Sequence, residues 1–484
     1  MKKNHIFLIA TLLLAGILFS MAACNKKEQP DPKDVVPPVV EKPTADFTFT
    51  TNVFEVQFAS QLTKTDRVVW SFGDATGSDE FNPVHNYQST KKYEVSLIAY
   101  NDSIAGDSTY YDSVQVIKEI IVSRVEHIRW GTKLSPLENV TISWRSTGGE
   151  DKIRWGYTSA YENGEHETEL REDLLRYFNI QEYTFDILAP SSTIFYTIYD
   201  SENDLWTDQK TFQTAPDPAL NHFKFTAGGD CRTDLEAWHM VSEAIERLDF
   251  ALFLGDVVNN GTTWPDWDNF YAYGDNFISN NLAFHIRGNH DIGYIFNNNL
   301  VNPGNGRYYA FEFANAIFIG LDDQNDDTHA AQAAFIDSVF SSNTDKTWRF
   351  VFFHSPFYSS GGHSGEMDNL FGTWWKLFDD YGVDMIFNGH EHCYVRTKPL
   401  NRNVSDTSAV NEYGSGSGQG RCQVIAGSYG APRYPEQEGW FVELSFDRYN
   451  YTTIEVNGNE LTFKAIDATT GEKFDELILT KLKR

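Results

Sequence analysis

Two histidines stand one residue apart in FNGHEHCY (387–394), directly after the apolar run VDMI. Imidazole is a common ligand for divalent metals. On an extended chain, where side chains alternate, His390 and His392 would project to the same side, and two neighbouring ions could take one each. Related residues follow other apolar runs. Asp230 ends HFKFTAGGD, Asp256 ends FALFLGD, Asn289 and His290 lie in AFHIRGNHD, and His354 lies in WRFVFFHSP. Carboxylates, amide oxygens and imidazoles bind hard or borderline divalent cations. Singly, each piece reads as a turn residue or a satisfied core histidine. Five such ends in order point to a metal centre.

The elements that must hold these residues read as an α/β domain from about residue 221. Strand-like runs such as FALFL and WRFVFF alternate with helix-like ones. LEAWHMVSEAIERL (235–248) has apolar residues at helical spacing, DWDNFYAYGDNFI follows the second strand, and further helices are expected over 328–341 and through EMDNLFGTWWKLFDDYG. RYYAFEFANAIFIGLDD (307–323) reads as two strands around a turn. Strand–helix alternation predicts a sheet covered by helices, with its site at the carboxyl ends of the strands.

The ordered set GD…GD…GNHD…FHSP…GHEH resembles the calcineurin-like metallophosphoesterase family, which includes the purple acid phosphatases. The likeness covers roughly 221–400 and extends, through looser motifs, to 484. It implies two mixed sheets flanked by helices and a site for two divalent or trivalent ions, of iron, manganese or zinc. Asp256 would bridge them, with Asp230 and His392 on one ion and Asn289, His354 and His390 on the other. The implied reaction is attack on a phosphate ester by a metal-activated hydroxide, with His290 as the general acid. HSPFYSSGGHSGEMD (354–368) is similar to a substrate-side run of purple acid phosphatases. On that likeness His363 contacts phosphate or aids protonation, and Glu366 orients it. The plainer reading of GGHSGE is a flexible loop.

Two positions depart from the family pattern. The commonest first motif is Asp-x-His, but GGDCRTD (228–234) places Arg232 where that histidine would stand. A guanidinium stays protonated and cannot ligate a metal. Its fork suits a substrate phosphate, or else a salt bridge to Asp234 or Asp291. Purple acid phosphatases carry a tyrosine three residues after the bridging aspartate; here Asn259 stands there, so no iron–phenolate colour is expected, and the first ion is held by fewer groups, with Asn259 as a further candidate ligand. Cys231 and Cys393 each follow a candidate ligand and read as small packing residues.

The rest of the chain bounds the setting. At 484 residues it exceeds one core, and its formal net charge of −29 disfavours nucleic-acid binding. An anionic substrate would need a local positive field, which bound metal supplies. Residues 1–23 read as a signal peptide, and MAAC (21–24) resembles a bacterial lipobox. That resemblance implies lipid on Cys24, membrane attachment and a cell-envelope location. Residues 24–44 form a Pro-rich tether. Residues 45–117 alternate as strands, and VVWSFGDATGS…FNPVHNY resembles the PKD (polycystic kidney disease) domain. There Asp74 and His85 are structural, and contacts with glycans or proteins are the implied use. Residues 118–218 resemble a fibronectin type III-like module, such as precedes the catalytic domain of purple acid phosphatases, with a helical insertion expected over 168–179. The expected architecture is therefore multidomain: two β-sandwich modules, then the α/β domain over 219–484. Cys231, Cys393 and Cys422 leave room for one disulfide. Phosphomonoesters are the expected substrates. Phosphodiesters, or a non-catalytic surface-binding role, are the alternatives, with loops 292–306 and 401–420 expected to shape the pocket.

Overall fold

A computed structural model describes residues 39–481 except 53, 89–90, 106–107, 124, 147–148, 172–178, 403–408 and 417. The readings of a signal peptide, lipidated Cys24 and most of the tether fall outside the described residues. So does the core of the expected helix over 168–179; its described start, Glu169–Leu170, is a short strand.

Sheet-rich domains precede an α/β domain. The first packs a three-stranded sheet (Thr44–Asn52, Glu55–Thr63, Val84–Asn86) against a four-stranded one built on the long hairpin Lys91–Ala105 and Ser108–Val122. Alternating residues Phe47, Val56, Phe58, Trp70, Val95 and Leu97 fill the space between the sheets. The second also has two sheets, one centred on Thr193–Asp200 and one on Asn139–Ser146 and Asn179–Asp186. It is fastened to the third by Trp130, whose indole donates to the Ser279 carbonyl at 2.8 Å, and by Arg145, paired with Asp268 at 2.7 Å.

The α/β domain has two mixed sheets. The six-stranded sheet runs Ala283–His285, Phe250–Phe253, His222–Gly228, Asn450–Asn457, Glu460–Asp467, Lys473–Thr480. Its first three strands are parallel and the others antiparallel. The seven-stranded sheet runs Tyr309–Phe313, Ala316–Gly320, Trp348–Phe352, Met385–Asn388, Cys422–Ala426, Tyr394–Thr397, Val442–Phe446, with a parallel centre. Strand alternation sorts the side chains into layers. Phe225, Phe250 and Leu252 face the other sheet, where Phe318, Phe350 and Phe387 meet them. Ala251 and Phe253 face outward onto helices Leu235–Ala244 and Trp264–Ile278 through Trp238 and Phe270. On the far side Ile319, Val351 and Ile386 pack on Ile336, Phe340 and Phe378 of helices His329–Ser342 and Lys376–Tyr381. The parallel strands of both sheets end along one rim.

Three local expectations are corrected. The helix expected through EMDNLFGTWWKLFDDYG is a 3-10 turn at Asp368–Leu370, a wide π-helical turn at Phe371–Trp375, and an α-helix only from Lys376. Trp374 and Trp375 are both fully buried, and the wider turn lets two successive indoles enter the core. Loop 401–420 does not shape the pocket in its described part. It packs at the opposite end of the parallel strands, where the Arg402 amide donates to Asp379 at 2.9 Å and the Cys422 amide to the Asp384 carbonyl. No disulfide links the three described cysteines, which are free and buried.

Candidate metal centre

The functional side chains follow strand ends, and three of them sit on a sharply bent backbone. Asp230, Asp256 and His390 have left-handed φ values of 59°, 51° and 69°. Such a conformation costs a non-glycine residue about 1–3 kcal/mol and persists where the surroundings over-determine it. Here the amides it turns inward are used: His390 N–H donates to Asp230 Oδ2 at 3.0 Å, and Asp230 N–H to the Gly255 carbonyl at 3.0 Å. Glycines permit the close approach. A Cβ on Gly389 would lie 2.5 Å from Asp230 Oδ2, and one on Gly255 (φ +88°) would lie 2.6 Å from His354 Nδ1.

The extended-chain reading of GHEH is corrected by these angles. The strand stops at Asn388, and Gly389–Cys393 is a tight turn with Glu391 N–H on the Gly389 carbonyl at 2.8 Å. The turn directs His390 and His392 to two different positions rather than along one extended face.

At the first position, four acceptors converge. His354 Nδ1 donates to the Leu254 carbonyl at 2.7 Å, leaving the Nε2 lone pair inward. His390 Nε2 donates to Glu366 Oε2 at 2.9 Å, leaving Nδ1 inward. These two lone-pair nitrogens face each other at 3.1 Å. Asn289 Oδ1 lies 3.1 Å, and Asp256 Oδ1 3.5 Å, from His354 Nε2. Ligands bound at about 2.1 Å around one ion are spaced by about 3.0–3.4 Å, so these separations fit the edges of one coordination sphere. Burial lowers the affinity of His354 for a proton, but the charges of Asp256, Asp230 and Asp323 outweigh it and raise its pKa to about 9. Burial, then the positive character of His354, His363, His392 and Arg232, pushes His390 strongly down. The cluster thus favours one positive charge at its centre.

At the second position, His392 Nδ1 donates to the Pro432 carbonyl at 2.8 Å, again leaving Nε2 inward. Asp230 Oδ1 is buried, has no hydrogen-bond partner and lies 3.5 Å from that nitrogen. Arg232 enters here. Its Nε donates to Asp256 Oδ2 at 3.2 Å, and its Nη2 lies 3.2 Å from His392 Nε2. The expected partners Asp234 and Asp291 are engaged elsewhere, which corrects that reading. Asp234 caps the helix at Ala237 N–H and accepts from Tyr449, while Asp291 accepts from Gly288 and Val258 amides. Burial, with the Asp256 charge behind it, raises Asp291 to about 7.

His290 stands beside the cluster. Its amide donates to Asp256 Oδ1 at 2.8 Å, and its Nδ1 donates to the Asn259 carbonyl at 2.8 Å, so Nε2 is left for a ligand or substrate. Asn259 meets His290 through its main-chain carbonyl. His363 lies over the rim, its ring centroid 3.8 Å from that of His390 and its Nδ1 3.0 Å from Glu366 Oε1. Glu366 therefore holds two histidines. Cys231 and Cys393 stand outside both groups of converging ligand atoms, and burial pushes the first thiol far up and the second to about 12.

Some contributors escaped the sequence reading. Glu391, between the two histidines, is fully buried and accepts from Ser359 Oγ at 2.6 Å and His363 N–H at 3.1 Å, tying the 359–366 segment to the GHEH turn. Asp323 accepts both His354 and Ser355 amides at 2.9 Å. The segment after strand Cys422–Ala426 supplies Pro432 and Tyr434, whose ring stacks on His392 at 4.2 Å. The available signal was the same in each case, a polar run following an apolar strand.

Residues 221–394 match the calcineurin-like phosphoesterase family and residues 35–116 match the PKD domain. Purple acid phosphatase 18 of Arabidopsis thaliana is 31% identical over 181 residues, 36% of this chain and 40% of that protein. Purple acid phosphatase 21 of the same plant is 27% identical over 267 residues, 49% and 58% of the two chains. Phosphoenolpyruvate phosphatase of Allium cepa is 23% identical over 249 residues, 44% and 50%. The chain thus spans about half the length of the curated relatives it matches. Among solved structures, a purple acid phosphatase from yellow lupin (Lupinus luteus) seeds superposes with a TM-score of 0.62 at 15% identity, over 91% of this chain and 96% of that one. PhoD superposes with a TM-score of 0.53 at 13% identity, over 73% and 88%. At such identities these two show a shared fold.

Proposed function

We propose that this protein, whose 221–394 segment is a calcineurin-like metallophosphoesterase domain with purple acid phosphatase homologues, hydrolyses phosphate monoesters in a metal-dependent reaction. The observation that carries the reading is the convergence of His354 Nε2, His390 Nδ1, Asn289 Oδ1 and Asp256 Oδ1 at separations of 3.1–3.5 Å. When bound there, a divalent cation of the iron, manganese or zinc kind neutralises phosphate charge and activates water. Leu254 and Pro432 carbonyls and the Glu366 carboxylate fix the histidine tautomers so that ligand lone pairs need no reorganisation. His290, held by the Asn259 carbonyl, presents Nε2 to the leaving group and delivers its proton. His363 borders the same space and contacts the substrate phosphate.

The reading is tested by turnover of an aryl phosphate monoester and the corresponding diester, with and without chelator. Chelator-sensitive monoester hydrolysis is expected. Preference for the diester would shift the assignment to a phosphodiesterase, and metal-independent absence of turnover would leave a surface-binding protein.

We further propose attachment to a bacterial envelope through lipid on Cys24. The middle sandwich would be fibronectin type III-like, and the first domain would contact glycans or proteins. Membrane fractionation checks the anchor: Cys24→Ser should release the protein into the soluble fraction.

A further inference from the structure

We infer that Arg232 is a built-in cation at one of the two metal positions, so that the protein takes up a single metal ion, held by Asp256, Asn289, His354 and His390. The inference rests on the metal-dependent reading above and departs from the two-ion centre that the sequence motifs imply.

Hydrogen-bond bookkeeping supports it. His392 has one inward lone pair, because its other nitrogen is committed to Pro432. Arg232 Nη2 is 3.2 Å from that lone pair and, being always protonated, can only donate to it. Arg232 Nε takes the Asp256 oxygen that the first cluster leaves over: Oδ1 faces His354 and Oδ2 faces the guanidinium. One carboxylate therefore bridges two cationic positions, one defined by imidazole lone pairs and the other by an arginine. The Arg232 side chain is 14% exposed, and its guanidinium meets Asp256 and His392. A second ion at this position would have to compete for the His392 lone pair and the Asp256 oxygen, and would meet the repulsion of a fixed positive charge at close range.

Charge also balances. One divalent ion with the guanidinium exceeds the two aspartates by one positive charge, so an anionic phosphate is attracted without the second metal. Arg232 would then meet a phosphate oxygen where a second ion would otherwise sit, with a planar fork suited to it.

The experiment is metal stoichiometry, by elemental analysis of the full chain equilibrated with excess manganese or zinc, together with the manganese EPR signal. Wild type is expected to hold one ion per chain with the signal of an isolated ion. Arg232→His, which supplies a neutral ligand at that position, is expected to rise to two ions with a spin-coupled signal. His392→Ala should still hold one ion, and His354→Ala none. Two ions in wild type would overturn the inference and leave the metal-dependent reading standing. So would loss of the ion in His392→Ala, or a single ion in a folded Arg232→His. No ion in wild type would overturn the metal reading and the inference together.

Discussion

Two histidine–aspartate pairs in different parts of the molecule show what makes a site. In the first domain, His85 Nε2 lies 2.8 Å from Asp74 Oδ2, Asp74 Oδ1 accepts from Thr76, and the imidazole stacks on Phe72 at 4.2 Å. Both carboxylate oxygens there have protein partners, and the pair fastens a turn. In the α/β domain, His392 Nε2 and Asp230 Oδ1 stand 3.5 Å apart, and the carboxylate oxygen has no hydrogen-bond partner. The residue types are the same. A closed pair stabilises the fold, whereas the second leaves a buried carboxylate oxygen unpaired, grouped with Asp256 and His354 at the first position, while Arg232 meets His392 Nε2.

Substitutions can break this contrast. His354→Ala removes the ligand around which the other acceptors gather, and is expected to lower turnover to background, a loss of about a thousandfold or more, with loss of bound metal by elemental analysis. His290→Ala should keep the metal and lower kcat by about 10²–10⁴-fold, with a smaller penalty for aryl phosphates whose leaving group needs no proton. An equal penalty for good and poor leaving groups would count against the acid role. Glu366→Gln keeps the shape of the support beneath His390 and His363 but removes its charge. Metal affinity or activity should fall by about 10–100-fold. Retention of full affinity would show that Glu366 does not position His390.

The closed pair predicts the opposite outcome. Asp74→Asn should leave turnover unchanged and destabilise the first domain by about 1–3 kcal/mol, read as faster hydrogen exchange across residues 72–87. Burial pushes the Asp74 carboxyl up, but hydrogen bonds from Thr76 and His85 outweigh it and hold it below its ordinary 3.8. A depressed carboxylate gives stability that is present above about pH 4 and lost as pH falls through the folded value. Wild type and Asp74→Asn should therefore differ at pH 7 and converge in strong acid. A gap that persists there would assign the effect to packing.

The legible parts of this protein were those governed by local pattern. Apolar runs ending in Asp, Asn or His marked the strand ends, because a ligand must follow a strand that delivers it to the rim. Periodicity likewise marked helices Leu235–Ala244 and His329–Ser342 within a few residues. The expectations that failed depended on distant partners. The sequence alone suggests an extended chain for the GHEH histidines, yet His390 needs a left-handed turn whose amide is answered by Asp230, 160 residues away. For Arg232 the sequence offers a substrate phosphate or a salt bridge to an acidic neighbour such as Asp234 or Asp291; a helix cap and loop amides engage those two, and the salt bridge forms with Asp256. Loop 401–420 was placed at the pocket because it is irregular; strand order puts its described ends at the other end of the sheet.

The amino-acid sequence alone determined which chemical groups are present and in what order, since ligand type and strand patterning are properties of single residues and near neighbours. It also determined that a permanently charged arginine stands where the commonest form of the motif has a neutral imidazole. Only the tertiary structure decided which lone pairs face inward and which cation meets them. Tautomers are set by carbonyls of Leu254 and Pro432 from remote segments, and the partner of Arg232 by which acids remain unclaimed after the chain has folded.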